Sequence, residues 1–355
     1  MPQQENFPTS TPRPPASNLF AMADTALRFT NLQLVERVDR SALQLLTFSA
    51  AMLTRLRSWP YFTKDPEAYR RHMQDYHYRL IEGYDKPFGY VHNHFIAEVP
   101  RPGYWKIDPE KRVLTLTTAS DLETRGRLLN ETLRIDHESQ KVPALRYWAN
   151  EQFPLYSPTG EHVLNLDGCG VDMFGIVNYS VHLIAWVTTA EGIKLWVPRR
   201  AATKMSFPGM LDNTVGGSLA AGEKPLDGIM RECEEEICLD PAYTSANIRA
   251  CGINSFQLTV TDLLEPACQH QVQYLYEMEL RQDIVPKIGD GEVGELNLLS
   301  LGELSRAMAS GQVKLTCNMT YLAFLIRHGH INAENEPDFV EICSRLHRHH
   351  DLFIV

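Results

Sequence analysis

No CxxC pair occurs among the seven cysteines, which stand at positions 169, 233, 238, 251, 268, 317 and 343. An odd, scattered set argues against a disulfide scaffold and fits free thiols in a reducing, cytoplasmic setting. Positive charge is short as well: the formal net charge is −10, which argues against general nucleic-acid binding through phosphates. No apolar run approaches the ~20 residues of a membrane span. Internal repeats are lacking. The segment Arg345-Leu346-His347-Arg348-His349-His350 has no Cys or carboxylate at ligand spacing, so it reads as a basic helix end and not a zinc site. A chain of 355 residues has room for two domains with full cores.

Acid, by contrast, is concentrated in one place. Within Gly216 to Leu239 runs Arg231-Glu232-Cys233-Glu234-Glu235-Glu236. Pro225 suits the first position of a helix, and residues three and four apart then lie one above the other. Glu232, Glu235 and Glu236 share one face within about 100° of arc, with Arg231 beside Glu235. Three like charges so placed repel, either on a solvated acidic face or around a divalent cation. Hard oxygen donors select Mg²⁺ or Mn²⁺.

The residues upstream favour the cation. Gly217, Glu223, Arg231-Glu232-Cys233, Glu235-Glu236 and Cys238-Leu239 follow at spacings that resemble the signature of the Nudix hydrolases, a loop-helix-loop that holds metal against a diphosphate. The resemblance implies an α+β or α/β chain, with a Nudix α/β/α sandwich (mixed sheet between helices) preceded by a smaller α+β N-terminal domain. It assigns Glu232, Glu235 and Glu236 as metal ligands, Arg231 and Glu223 as their salt-bridged frame, and Gly217 to the motif loop. Cys238 stands where the family has glycine, which puts the closing cap of the helix in question.

Along the chain, residues 1–25 have the composition of a disordered tail. It is poor in acidic residues and, with Arg13 and Arg28 in this region, shares features of a mitochondrial transit peptide, but arginines so sparse support import only weakly beside a cytoplasmic setting. Residues 26–160 are expected to form the N-terminal domain and 161–355 the Nudix domain. Helices are expected from Ser41 to Trp59, from Pro66 (capped by Asp65) through Tyr76 towards Leu80, over Glu123–Ile135 and over Ala144–Phe153. Short strands are expected from Lys86 to Val99, at Trp105–Ile107 and from Arg112 to Thr118. Phe88, Tyr90, Trp105 and Trp148 are either core or a substrate face. In the second half, Val181–Val187 and Lys194–Val197 read as a hairpin, Gln271–Leu280 as a half-buried strand, and Leu301–Ser310, Cys317–His328 and a segment opened by Pro337 as helices. His182 reads as a hydrogen-bonded core residue.

Arg199, Arg200 and Lys204 are candidates for an outer phosphate, since arginine grips it through two bonds. Asp212 and Asn213 follow in the Phe207-Pro208-Gly209 bend, expected to cross the active site. Glu292, less so Glu295, is a candidate base or further ligand.

Longer stretches (KPFGYVHN, WKID, FGIVNYSVHL, KLWVPRRAATKMSFPGMLDNTVGG, DGEVGE, FLIRHGHINAENEPD) are similar to the two-domain Nudix proteins associated with thiamine pyrophosphokinase. That resemblance implies hydrolysis of thiamine diphosphate, oxidised forms foremost, to the monophosphate, with the first domain selecting the organic group. Residue chemistry alone reaches metal-dependent cleavage of a small-molecule diphosphate. Nucleoside diphosphates of the 8-oxo-dGDP type are the rival substrates, and a non-catalytic diphosphate-binding module is the rival role. Isopentenyl diphosphate isomerase shares the fold, but its reaction needs a loop cysteine that 213–218 lacks. Nothing in the pattern sets an oligomeric state.

Overall fold

The computed structural model describes residues 29–40, 60, 64–98, 101–117, 120–142, 145, 148–157, 159–204, 206–260, 266–349 and 352. The tail, the 41–59 helix and most of the start of the 144–153 helix lie outside them.

The chain opens with α1 (Asn31–Arg40) and α2 (Pro66–His72), whose N-terminus is capped by Asp65 as its sequence suggests. Helix α2 does not continue towards Leu80. Tyr76–Ile81 is strand β1, between β2 (Gly89–His92) and a parallel β4 (Val113–Leu116), with β3 (Trp105–Asp108) at the edge. The aromatics at 69 and 76 are helically spaced, but YHYRLI buries Tyr76, Arg79 and Ile81 against distant strands. Non-local pairing overrides local pattern here. Asn93–Glu98, expected as strand, is the short helix α3. Helix α4 (Leu122–Ser139) is capped by Asp121 and packs on the hairpin β5 (Gln152–Tyr156) and β6 (His162–Asp167). Residues 148–150, expected in a helix, are in no regular element, and Phe153 lies in β5.

After the single turn α5 (Val171–Phe174), a mixed sheet occupies the rest. Its order is β10 (Arg249–Val260), β11 (Pro266–Glu279), β7 (Val177–Thr189), β8 (Gly192–Arg200) and β12 (Val293–Ser300), with β9 (Val215–Ser218) also on β7. Strand β10, not expected from sequence, runs antiparallel to β11, while β11 runs parallel to β7. Strand β11 is buried on both faces, because both carry helices.

On one face, Val181, Leu183 and Ala185 of β7 meet Ile229, Cys233 and Ile237 of α6 (Pro225–Ile237), beside α7 (Pro241–Asn247). On the other, Ile184, Leu195 and Leu275 meet α8 (Leu301–Ala309), α9 (Cys317–Arg327) and α10 (Phe339–Arg345). Alternate residues of one strand thus feed two cores, as a period of two requires. Helix α1 joins the second core: Leu34, Val35 and Val38 are buried against it. The architecture is α+β, a mixed sheet between helices preceded by an N-terminal region. Among the described residues no helix is long and apolar enough to cross a membrane.

Of the four N-terminal aromatics singled out, Phe88, Tyr90 and Trp105 are core, and Trp148 is half-buried against it. Trp105 donates its indole N–H to Thr132 Oγ1 at 2.7 Å and stacks on Phe174, and Phe88 and Tyr90 are likewise buried. They present no face to a substrate.

Candidate active site

Helix α6 starts at Pro225, where the absent N–H costs nothing. Its face carries Glu232, Glu235 and Glu236, and Arg231 organises the first two: Nη1 donates to Glu232 Oε1 and to Glu235 Oε2, both at 2.9 Å. The guanidinium also grips Glu223, from Nε to Oε1 at 2.9 Å and from Nη2 to Oε2 at 3.2 Å. Glu223 in turn accepts from Ala220 N, so the loop before the helix is tied to its middle. Glu236 is 7% exposed and accepts from Gly216 N at 3.3 Å. A Cβ at Gly217 would stand 2.0 Å from Glu232 Oε1, so any side chain there would displace that carboxylate from its place.

The far end of α6 positions the opposite wall. Lys287, Gly289 and Asp290 donate their N–H groups to the carbonyls of Ile237, Glu236 and Glu235. These are terminal carbonyls the helix itself leaves unpaired. A Cβ at Gly289 would come within 1.9 Å of the Glu235 carbonyl oxygen. Two residues on, Glu292 reaches the cavity and pairs with Lys204. Glu295 pairs instead with Arg199 at 3.2 Å, outside the cavity. Cys238 keeps the left-handed conformation (φ 51°) of the glycine it replaces, and its N–H closes on Glu234 O. The cap survives with the strain of a side chain.

Gly217, Arg231, Glu232, Glu235, Asp290 and Glu292 line a cavity of about 460 Å³, while Glu236 is buried and is not part of its lining. Its carboxylates are Glu151, Glu232, Glu235, Asp290 and Glu292, and its cations are Arg200, Lys204, Lys314 and Arg231. Arg200 and Lys204 of the candidate phosphate set are therefore brought together, while Arg199 is not. Asp212 and Asn213, expected on the substrate side, do not line it. Asp212 is buried beneath, 2.5 Å from Arg200 Nη1 and 3.8 Å from Lys314 Nζ, and accepts from Cys317 Sγ at 2.7 Å. Burial pushes its carboxyl up, but Lys314 and Arg200 outweigh that and hold it well below the usual carboxylate range. Its role is to anchor the two cations. Asn213 is 1% exposed and donates to the Cys317 carbonyl.

Lys314, in the turn before α9, escaped the sequence reading, since nothing local distinguishes it from a surface lysine. So did Glu151, Gln152 and Phe153 of the β5 hairpin, and Ser180 and Gln271, which form the remaining wall with His182. Burial, the chief influence, drives the His182 pKa down to about 4, so the ring is neutral.

Among the described residues no three His, Cys, Asp or Glu side chains converge as a ready-made metal cage. The donor set still fits a hard divalent cation, being oxygen only and carrying uncompensated charge. Burial and then the neighbouring carboxylates, Glu232, Asp212 and Glu292, push Glu236 well above its ordinary value, and burial likewise raises Glu232. A cation among them would relieve that cost.

The family model for the NUDIX domain matches residues 179–319. Uncharacterized protein YJR142W of Saccharomyces cerevisiae is 31% identical over 239 residues, 65% of this chain and 70% of that protein. Nudix hydrolase 20, chloroplastic, of Arabidopsis thaliana is 29% identical over 226 residues, 63% of this chain and 58% of that protein. The chain thus spans less than two thirds of this plant relative. An uncharacterized Nudix hydrolase of Nostoc sp. is 30% identical over 138 residues, 39% of this chain and 73% of that protein. Nudix hydrolases generally use divalent metals. The matched segment begins on β7 and ends in α9, so it contains the whole of the Arg231 array, and the chain belongs to the Nudix hydrolase family.

Proposed function

We propose that this protein is a metal-dependent hydrolase of phosphorus anhydrides that cleaves a small organic diphosphate to the monophosphate and phosphate. One observation carries the reading: a single cavity holds an ordered carboxylate array on α6 and, within it, the cations Arg200, Lys204 and Lys314. A diphosphate is the ligand that needs both, phosphate oxygens for the cations and a metal bridge for the carboxylates.

Glu232, Glu235 and Glu236 would hold Mg²⁺ or Mn²⁺, which when bound polarises the phosphoryl group and activates water. Arg231 keeps the first two carboxylates in place. Arg200 and Lys314, fixed from below by Asp212, bind the phosphate to be released. Lys204 is drawn onto that phosphate and leaves Glu292 free to take the proton of the attacking water.

The finer reading, thiamine diphosphate and its oxidised forms, rests on the sequence resemblance and makes these the first substrates to test. Phosphate release should be followed with Mg²⁺ or Mn²⁺ over thiamine diphosphate, its oxidised analogues, 8-oxo-dGDP and other nucleoside diphosphates. Turnover of one of them that stops in EDTA is expected. Failure of every diphosphate, with binding intact, would favour a non-catalytic binding module.

A further inference from the structure

A line of hydrogen-bonding side chains runs from the core to the cavity, and its inner end sets the direction of every bond in it. The Cys317 carbonyl only accepts, so Asn213 turns its Nδ2 to it, at 3.3 Å, and keeps Oδ1 for the other side. Asn213 Oδ1 and His182 Nδ1 are both buried, and neither has a hydrogen-bond partner among the described residues. An amide nitrogen only donates, so Gln273 Nε2, 3.1 Å away, makes His182 Nε2 the acceptor and leaves the ring proton on Nδ1. His182 Nε2 is then a bare acceptor. Gln273 Nε2 and Ser180 Oγ each approach it at 3.1 Å. The Gln273 orientation agrees, since its Oε1 accepts from Thr320 Oγ1 at 3.4 Å.

Ser180 has now committed its one hydrogen to His182, so it accepts from Gln271, whose Nε2 lies 2.9 Å away. The amide oxygen of Gln271 is left over, without a partner among the described residues, on a side chain that lines the cavity. Turning the amide over would set its oxygen against a serine oxygen with no hydrogen to give. The opening is bordered by Phe153 of the β5 hairpin.

We infer that Gln271 is a specificity-determining residue: its amide oxygen, held as an acceptor by the Ser180–His182–Gln273 line, receives an N–H or NH₂ group of a ring lying against Phe153. The inference deepens the diphosphatase reading and rests on it for the placing of the phosphates. It names the substrate class as diphosphates of a nitrogen heterocycle with a donor at its edge. Ser180, His182 and Gln273 act through Gln271 as positioning residues.

The test uses the full chain and matched probes in which one ring amino group is replaced by hydrogen: ADP with purine riboside diphosphate, and an (aminopyrimidinyl)methyl diphosphate with its desamino form. Binding is measured by calorimetry with Ca²⁺, and kcat/KM with Mg²⁺. In at least one pair the amino member should be preferred about tenfold, the scale of one neutral hydrogen bond. Gln271→Met should bring that ratio towards one, and Ser180→Ala should lower it while melting shows a folded protein. An unchanged ratio in Gln271→Met overturns the inference, as does the lack of an amino preference in both pairs. A wild-type protein that binds with the amino preference but cleaves nothing would sink the diphosphatase reading and leave Gln271 as the reader. Binding of neither pair counts against both.

Discussion

Arg231 and Glu223 are locked by two parallel hydrogen bonds across the loop that precedes α6, while the same guanidinium holds Glu232 and Glu235. Frame and metal ligands therefore fail differently. Arg231→Ala should lower both activity and melting temperature, because it frees the loop and three carboxylates at once. Glu235→Gln or Glu236→Gln should lower kcat ~10²-fold or more through loss of metal-borne transition-state stabilisation. The sign for Glu236 is specific. Its folded-state pKa is raised, chiefly by burial, so the stability it contributes is present below the ordinary carboxylate value and lost as pH rises through the raised one. The metal-free Glu236→Gln protein should thus melt no lower than wild type at pH 7, measured by calorimetry in EDTA.

Asp212 gives the opposite sign. Its carboxyl is held low by Lys314 and Arg200 against the effect of burial, so its contribution is present above the unfolded value of about 3.9 and lost as pH falls below it. Asp212→Asn should cost about 3–5 kcal/mol at pH 7, because it leaves two cations poorly paired. The gap to wild type should begin to narrow in urea melts run from pH 5 towards pH 3, since full loss needs a pH below the depressed folded-state value. A gap independent of pH would show that the charge is not what matters.

Glu292 lines the cavity against Lys204, whereas Glu295 is turned outward to Arg199. Glu292→Gln should lower kcat/KM at least tenfold and change the acidic limb of its pH profile, and Glu295→Gln should leave both near wild type. Matching profiles for the two variants would remove Glu292 from the chemistry.

Cys238 holds φ at 51°, a region costly for a side chain. Cys238→Gly should raise stability by about 0.5–1 kcal/mol with activity retained, since the cap bonds are made by backbone alone. Loss of stability on this change would assign the thiol a packing role.

The metal-facing helix was legible because its chemistry is local: the five residues from Glu232 to Glu236 contain the carboxylates, and helical geometry alone places them on one face. The hairpin β7–β8 and helices α8 and α9 were legible through period and glycine stops. What escaped depends on contacts between distant segments. Tyr76–Ile81 reads as helix until β4 lies beside it. Asp212 looks like a loop carboxylate until Lys314 and Cys317 arrive from over a hundred positions on. Trp105 and Tyr90 resemble a stacking platform, but they fill a core, and Phe153 is the aromatic at the cavity. A chain begun near Val163 would separate β6 from β5 and strip α1 from the second core, so the truncation suggested by the sequence division would remove structure as well as selectivity.

Helix α1 also sets a schedule for synthesis. Leu34, Val35 and Val38 emerge first but are covered by β10 and by helices α8, α9 and α10, the last of which ends at Arg345. At ordinary elongation rates these side chains wait on the order of tens of seconds for their partners. The far-side core therefore closes only after α10 has been synthesised, and α1 is held in it by elements made about three hundred residues later.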